Sequence, residues 1–386
     1  MEETRIRELS LSQRLRELLV LFLKLGSFGF GGPLALIAAM EDEAVRKRRW
    51  LSREHFLEAL ALTNMLPGPN AHEMGVYLGY LRAGVRGAVL SGLAFILPPF
   101  LLMLGLSWLY FRYGTVPEVE GLFYGLKPVV IAIILVTVWR LGRGAITDLK
   151  LAALCVGALV LTWRYPSAEP ITLLVAGGLG ILLYAFPHPG RWLAAGTLLA
   201  GSATPPLLGW DGGTLGDLAL LFLRTGGLLF GGGYVMIPLI EHDVVERFGW
   251  LTRAEFLDGV ALGQSTPGPI IITATFIGYK AAGLAGAIVA TAAIFLPSFL
   301  LAIIVARFVP TLRRWATAQA FLRGISAAVV GAVLATALVL ARTAITDPLT
   351  GTLMAVALVA ALALKANILL LLGAGAFVGL VTKGAF

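Results

Sequence analysis

Charged side chains are scarce in this chain. Asp, Glu, Lys and Arg make up 13% of its 386 residues, while 58% are hydrophobic. A soluble domain carries about 25% charged residues, so that class is excluded. Cysteine is nearly absent too. The single Cys155 rules out an internal disulfide and a multi-cysteine metal site, and its apolar surroundings read as packing. The chain holds no HExxH pair and no Walker loop. Ser265 could imitate an intramembrane nucleophile, but it would need a histidine base, and His242 sits in a charged loop. An enzyme is therefore not expected, nor a metal or other cofactor. The net charge of +8 is no nucleic-acid signature, because the basic residues sit in short loops without interleaved aromatics. The charged stretch from Arg5 to Glu17 leads into an apolar run without a small-residue cleavage site, so no removable signal peptide is expected.

What the chain has in quantity is apolar runs near the ~20 residues that span a bilayer. They cover Ala88–Phe111, Leu126–Trp139 and Ile171–Tyr184, with counterparts at Ala285–Phe308, Ile325–Leu340 and Ile368–Leu380. Continuous apolar runs without alternation read as helices, not barrel strands. The counterparts arise from a repeat. Phe30-Gly31-Gly32-Pro33 recurs as Phe230-Gly231-Gly232-Gly233, and Trp50-Leu51-Ser52-Arg53 as Trp250-Leu251-Thr252-Arg253, 200 positions later. Leu66-Pro67-Gly68-Pro69 recurs as Thr266-Pro267-Gly268-Pro269. At a register of 199, Leu97-Pro98-Pro99-Phe100 matches Leu296-Pro297-Ser298-Phe299. Two copies of one helical unit in so apolar a chain are the signature of a transporter built from repeats. The expected organisation is a repeat over 1–187, a connector over 188–216 and a second repeat over 217–386.

Loop charge gives the relative orientation of the halves. Arg46, Lys47, Arg48, Arg49 and Arg53 stand where the second half has Glu241, Asp243, Glu246 and Glu255 beside Arg247 and Arg253. The next pair of loops reverses, with Glu118 and Glu120 against Arg307, Arg313, Arg314 and Arg323. Since basic loops stay cytoplasmic, the halves are expected to be inverted. Inversion requires an odd number of crossings between equivalent points, and the apolar stretch Trp192–Trp210 could supply the odd one; a surface loop is the other reading. The fold class expected is an all-α polytopic membrane protein of two homologous, inverted halves.

The first two windows of each half are interrupted. Leu18–Met40 contains Gly26, Gly29, Gly31, Gly32 and Pro33, and Phe56–Tyr80 contains Pro67-Gly68-Pro69. Proline removes a backbone donor and clashes with the preceding turn, and glycine permits conformations that other residues avoid. In lipid the freed backbone groups must be satisfied by protein or a water-filled cavity. Broken or re-entrant helices are expected, with kinked full spans as the alternative.

Such breaks present free N–H groups and helix dipoles to an anion. The expected binding residues are Gly31, Gly32, Pro67, Gly68, Pro69, Gly231, Gly232, Pro267, Gly268 and Pro269, with the uncharged polar residues Asn64, Asn70, Gln264, Ser265 and Thr266 around them. These hydroxyls and amides could equally serve only to satisfy the broken backbone. Lys24 and Arg224 share one repeat position. A cation at the bilayer centre costs roughly 2.5–3.5 kcal/mol on insertion scales, so the pair is a candidate for neutralising a dianion; snorkelling or pairing with a carboxylate is the alternative. Glu41 and Glu241 also match, as candidate gates, proton carriers or partners for those cations. His72 and Glu73 follow the first Pro-Gly-Pro without ionisable equivalents, and are candidates for proton coupling. Lys127, at a window start, reads as an interface anchor.

Gly231-Gly232-Gly233-Tyr234, Trp250-Leu251, Gly263-Gln264-Ser265-Thr266-Pro267-Gly268-Pro269, Thr273-Ala274-Thr275-Phe276-Ile277-Gly278-Tyr279 and Phe295-Leu296-Pro297-Ser298-Phe299 together resemble the chromate ion transporter family. Phe28-Gly29-Phe30-Gly31-Gly32-Pro33 and Leu66-Pro67-Gly68-Pro69-Asn70 resemble its N-terminal domain; His72-Glu73 departs from that pattern. The resemblance implies efflux of chromate across the inner membrane, powered by the proton motive force, with sulfate as a related substrate. The partners expected are an oxyanion, the lipid bilayer and protons, and a homodimer is a compatible assembly. A carrier of another small solute, a channel and a membrane scaffold are the rival readings.

Overall fold

Short capped helices alternate with glycine and proline breaks before the long spans begin. The structure, a computed structural model, describes residues 10–30, 32–114, 116–185, 213–312 and 316–384. Helix α1 (Leu11–Phe28) starts in a Ser10/Gln13 capping box and stops at Gly29. Helix α2 (Gly32–Glu41) follows, extended by a π turn over Asp42–Lys47. The repeated Trp-Leu-Ser/Thr-Arg motif proves to be a helix start. Ser52 caps α3 (Arg53–Thr63) as Thr252 caps its counterpart, each cap being worth about 1 kcal/mol. Helices α4 (Asn70–Tyr113), α5 (Pro117–Ala145), α6 (Leu149–Arg164) and α7 (Glu169–Tyr184) complete the first half.

The second half repeats this order. It comprises α8 (Gly213–Gly227), α9 (Met236–His242), α10 (Arg253–Ser265), α11 (Thr273–Leu312), α12 (Ala316–Ala344), α13 (Pro348–Ala363) and α14 (Ile368–Gly379). The described residues are helical and contain no strand. The expected crossing at Trp192–Trp210 and the 188–216 connector lie, but for residues 213–216, outside the described residues.

The long helix α4 is a hairpin. A straight helix of 44 residues would run about 66 Å, twice the hydrocarbon core. Ala83 and Gly84 leave helical geometry, Gly84 at φ 61°, and the limbs 70–82 and 85–113 fold back on each other. The Ser91 hydroxyl donates to the Gly75 carbonyl at 2.9 Å. A Cβ on Gly79 would strike the Gly87 backbone, and one on Gly87 the Gly79 backbone. Helix α11 does the same at Gly283 (φ 59°), with Thr275 and Thr291 hydroxyls 2.7 Å apart.

These turns settle the re-entrant question. Trp50, just before α3, lies 5.5 Å from the Arg82 guanidinium at the end of the first α4 limb. Arg82 also pairs with Glu17 of α1 at 2.9 Å. Both broken windows of the first half therefore open on one face, which also carries Arg46–Arg53; full spans would have separated these ends. In the second half Lys280, at the end of the first α11 limb, pairs with Glu255 at the start of α10, 2.9 Å away.

Inversion of the halves follows from the same contacts. The second α4 limb carries the chain away from the Arg82 face, and at its far end Phe111 lies 4.7 Å from Lys280 and stacks on Tyr279. The mouths of the second half thus open on the opposite face. Tyr124, near the start of α5, donates to Asp347 there, while Arg323, near the start of α12, lies over Tyr184 at the end of α7 on the basic face.

The halves are interlaced. Helix α5 packs on α13 and α14, and α12 packs on α6 and α7. Gly125 meets Gly375 and Gly379, and its counterpart Gly324 meets Ala176 and Gly180, backbone against backbone. Small residues allow such approach where no hydrophobic force drives helices together in lipid. Cys155 is buried, its carbonyl close against Gly331. Helices α5 and α12 are the most buried of the long apolar helices, whereas Leu93, Leu101, Val156, Val160, Val356 and Val359 remain exposed as a lipid-facing surface requires.

Candidate functional site

The two glycine breaks and the two Pro-Gly-Pro loops converge on one cavity of ≈ 60 Å3. At about 10–15 Å3 for each water, that is room for a few waters or one small dehydrated ion. The first half contributes Gly29, Phe30, Gly32, Pro33 and Pro69 to the wall. The second contributes Gly233, Tyr234, Gly263, Gln264, Thr266, Gly268, Pro269 and Ile270, and α14 adds Ile368 and Leu369.

The breaks hold one another across the pseudo-two-fold axis. The Gly68 N–H donates to the Leu229 carbonyl at 3.1 Å, and the Gly268 N–H to the Gly29 carbonyl at 3.2 Å. Each Pro-Gly-Pro loop thus satisfies a carbonyl freed by the other half's glycine break, as a backbone inside lipid demands. Only glycine serves well between the prolines, because Gly68 (φ 148°) and Gly268 (φ 94°) occupy positive φ.

The polar lining is asymmetric. Its side chains Tyr234, Gln264 and Thr266 all come from the second half, and the first offers glycine, proline and Phe30. The Tyr234 hydroxyl donates to Gln264 Oε1 at 3.0 Å, which leaves the Gln264 amide nitrogen, Nε2, buried without a partner. An orphan buried donor costs about 1–3 kcal/mol, and this one lines a cavity free of carboxylates. The arrangement offers neutral dipoles and N–H groups to a negative guest.

The other expected residues fall into distinct places. Gly32, Pro69, Gln264, Thr266, Gly268 and Pro269 line the cavity. Pro67 and Gly68 are buried behind it, as is Pro267. Gly232 takes positive φ (114°) beside it, Gly231 faces a second cavity, and Gly31 lies outside the described residues. Asn70 donates to Asn64 at 2.6 Å, closing the first Pro-Gly-Pro loop away from the cavity. The hydroxyls of Ser265, Thr266 and Thr273 donate to the carbonyls of Ala261, Leu262 and Ile270. These three hydroxyls satisfy backbone carbonyls beside the break.

Neither Lys24 nor Arg224 lines this cavity, so the expected pair of cations is not brought together around it. On α1 the buried stripe is Leu18, Leu21, Phe22, Leu25 and Gly26, and Lys24 falls on its exposed flank. Arg224 is held by Asp243. Glu41 and Glu241 pair with neither; they bind Arg53 at 3.1 Å and Arg253 at 2.8 Å, the same bridge in both halves. Glu73 is fully buried, its carboxyl oxygens unpartnered, with Oε1 close to Gly68. His72 beside it is enclosed by Phe95, Phe295 and Phe299. Lys127 is not an interface anchor. It reaches Asp258 at 3.3 Å, and Tyr110 donates to the same carboxylate at 2.7 Å, tying the first half to α10.

Sequence reasoning missed Tyr234, Gly233 and Gly263 in the wall. Tyr234 sits one residue beyond the glycine run, where the first half has Leu34, and that break in the repeat was the available signal.

A sequence profile of the chromate transporter family matches residues 16–182 and again 216–380. The chain belongs to the chromate transporter family. The chromate transport protein of Cupriavidus metallidurans is 36% identical over 341 residues, covering 86% of this chain and 84% of that protein. A probable chromate transport protein of Synechococcus elongatus is 36% identical over 339 residues, 86% of each. That of Pseudomonas aeruginosa is 38% identical over 341 residues, 84% of this chain and 81% of its own. No solved structure matches this family member. The profile covers each half once, so the paired breaks that build the cavity belong to two copies of one family unit.

Proposed function

We propose that this family member carries chromate, or a tetrahedral oxyanion like it, out of the cytoplasm across the inner membrane as a secondary carrier. The observation that carries this reading is the unpartnered Gln264 amide in a small, carboxylate-free cavity between four helix breaks. The names of the similar proteins supply the cargo. Neutral donors recognise oxygen geometry and charge, not the central atom, so sulfate is expected to compete.

The basic face, with Arg46–Arg53, Arg140 and Arg143, is taken as cytoplasmic. A dianion leaving a negative interior then gains about 4.6 kcal/mol per 100 mV, twice the value for one charge. The cavity's small volume and the interlocking Pro-Gly-Pro loops favour alternating access over an open channel. Glu73, buried with unpartnered carboxyl oxygens behind the first loop, is our candidate for carrying a coupled proton.

The test is flux in proteoliposomes under an imposed potential. Saturable chromate movement towards the positive compartment, inhibited by sulfate, is expected. Flux that rises without saturation would favour a channel, and no flux with an intact melting transition would rule out this cargo. Expression should also lower intracellular chromate, and a rise would overturn the direction.

A further inference from the structure

Two vestibules, each walled by both halves, lie at equivalent repeat positions on opposite faces. One, ≈ 620 Å3, is walled by Arg140, Thr147, Gln319, Arg323 and Ser326 and reaches inward to Gly231. The other, ≈ 470 Å3, has Glu120, Tyr124, Lys127, Glu255 and Asp258 in its wall, with Lys383. At a register of 199, Gln319 replaces Glu120, Arg323 replaces Tyr124 and Ser326 replaces Lys127. One fold thus supplies one chamber with arginines alone and another that mixes lysines with carboxylates.

Among the described residues, no carboxylate lines the basic chamber. Arg140 and Arg323 form no ion pair among the described residues; Arg323 lies over the Tyr184 ring, 5.6 Å away, and that tyrosine's hydroxyl donates to Asp148. The inner end of the chamber is the second glycine break. Gly231 faces the chamber, while Gly233 and Tyr234 face the central cavity. The Tyr234 hydroxyl in turn donates to Gln264 Oε1. Two exposed cations in one concave wall attract anions and raise their local concentration there.

The geometry points to a capture site for a divalent tetrahedral oxyanion in this chamber, held by Arg140 and Arg323 and separated from the central cavity by the Gly231–Tyr234 segment. It rests on the oxyanion-carrier reading and adds to it a second, outer site on one face only. The opposite chamber, with its carboxylates, releases the anion without retaining it. The membrane potential and gradients set the direction; the chamber sets the concentration at which the basic face saturates.

The experiment measures half-saturation for sulfate and chromate separately from each face of oriented proteoliposomes. The wild-type protein is expected to saturate at lower concentration from the basic face, and more so at low ionic strength. Arg140→Gln with Arg323→Gln should raise that half-saturation about tenfold or more, the range for charge-assisted hydrogen bonds. The maximal rate, the half-saturation from the opposite face and the melting temperature should hold. Arg140→Lys with Arg323→Lys should recover part of the loss. An unchanged half-saturation in the doubly substituted but working carrier overturns the capture site alone. A wild-type protein that moves neither anion overturns the carrier reading and the capture site with it.

Discussion

Gln264 differs from its repeat partner Asn64 by one methylene, yet only Gln264 lines the cavity. Asn64 is tied down by Asn70 and points elsewhere. Gln264→Leu keeps the volume and removes both amide groups, so half-saturation for chromate should rise about tenfold or more. Lys24→Ala should leave it unchanged, since that ammonium lies off the packed stripe of α1. Glu73→Gln should flatten the pH dependence of flux while leaving potential-driven transport, as checked in liposomes with and without a pH gradient. Asp347 gives a second pH signal, in stability. The Thr350 N–H, which it caps, and the Tyr124 hydroxyl hold its carboxyl at about 2. A depressed carboxyl stabilises the fold above its unfolded value near 3.8 and loses that contribution as the pH falls through about 2. Thermal unfolding should show this loss between about pH 4 and 2, and Asp347→Asn should remove it. Which residues surround the cavity was largely legible from the Pro-Gly-Pro and glycine motifs. That neither Lys24 nor Arg224 lines it was not, because a window gives depth and not facing; Arg140 and Arg323, which line the outer chamber, lie in basic stretches that read as topology signals.

Among the elements, the hairpins of α4 and α11 position everything else. They bring each Pro-Gly-Pro loop to the depth of the glycine breaks and return the chain to the face it left. Their turns were not legible as apolar runs, since Arg82-Ala83-Gly84-Val85-Arg86 reads as an ordinary loop; the glycines that lock the limbs together only acquire meaning once the limbs are antiparallel. A Cβ at Gly79 or Gly278 meets backbone, which cannot yield as a side chain can. Gly79→Ala and Gly278→Ala should therefore each destabilise by about 1–3 kcal/mol, the range for overpacking. The melting temperature in detergent reports it, with Gly105→Ala, which meets nothing, as the neutral control.

For the whole molecule, inversion was legible from loop charge because topology obeys the same bias in every membrane. Interlacing was not, since sequence order says nothing of α5 lying against α13 and α14. In a Cys155→Ala background, Arg46→Cys and Glu246→Cys occupy one repeat position and should label with impermeant reagents from opposite faces of the membrane. Labelling of both from one face would contradict inversion. Beyond topology, the interlaced halves bring four helix breaks around one cavity, the proposed anion site. Equilibrium binding of radiolabelled chromate to the purified protein tests this most directly, comparing wild type with Gln264→Leu and with Lys24→Ala/Arg224→Ala. Saturable binding that is weakened in Gln264→Leu and kept in the cation pair is the expected result. Binding that survives in Gln264→Leu and disappears with the cation pair would place the anion elsewhere and contradict the central site.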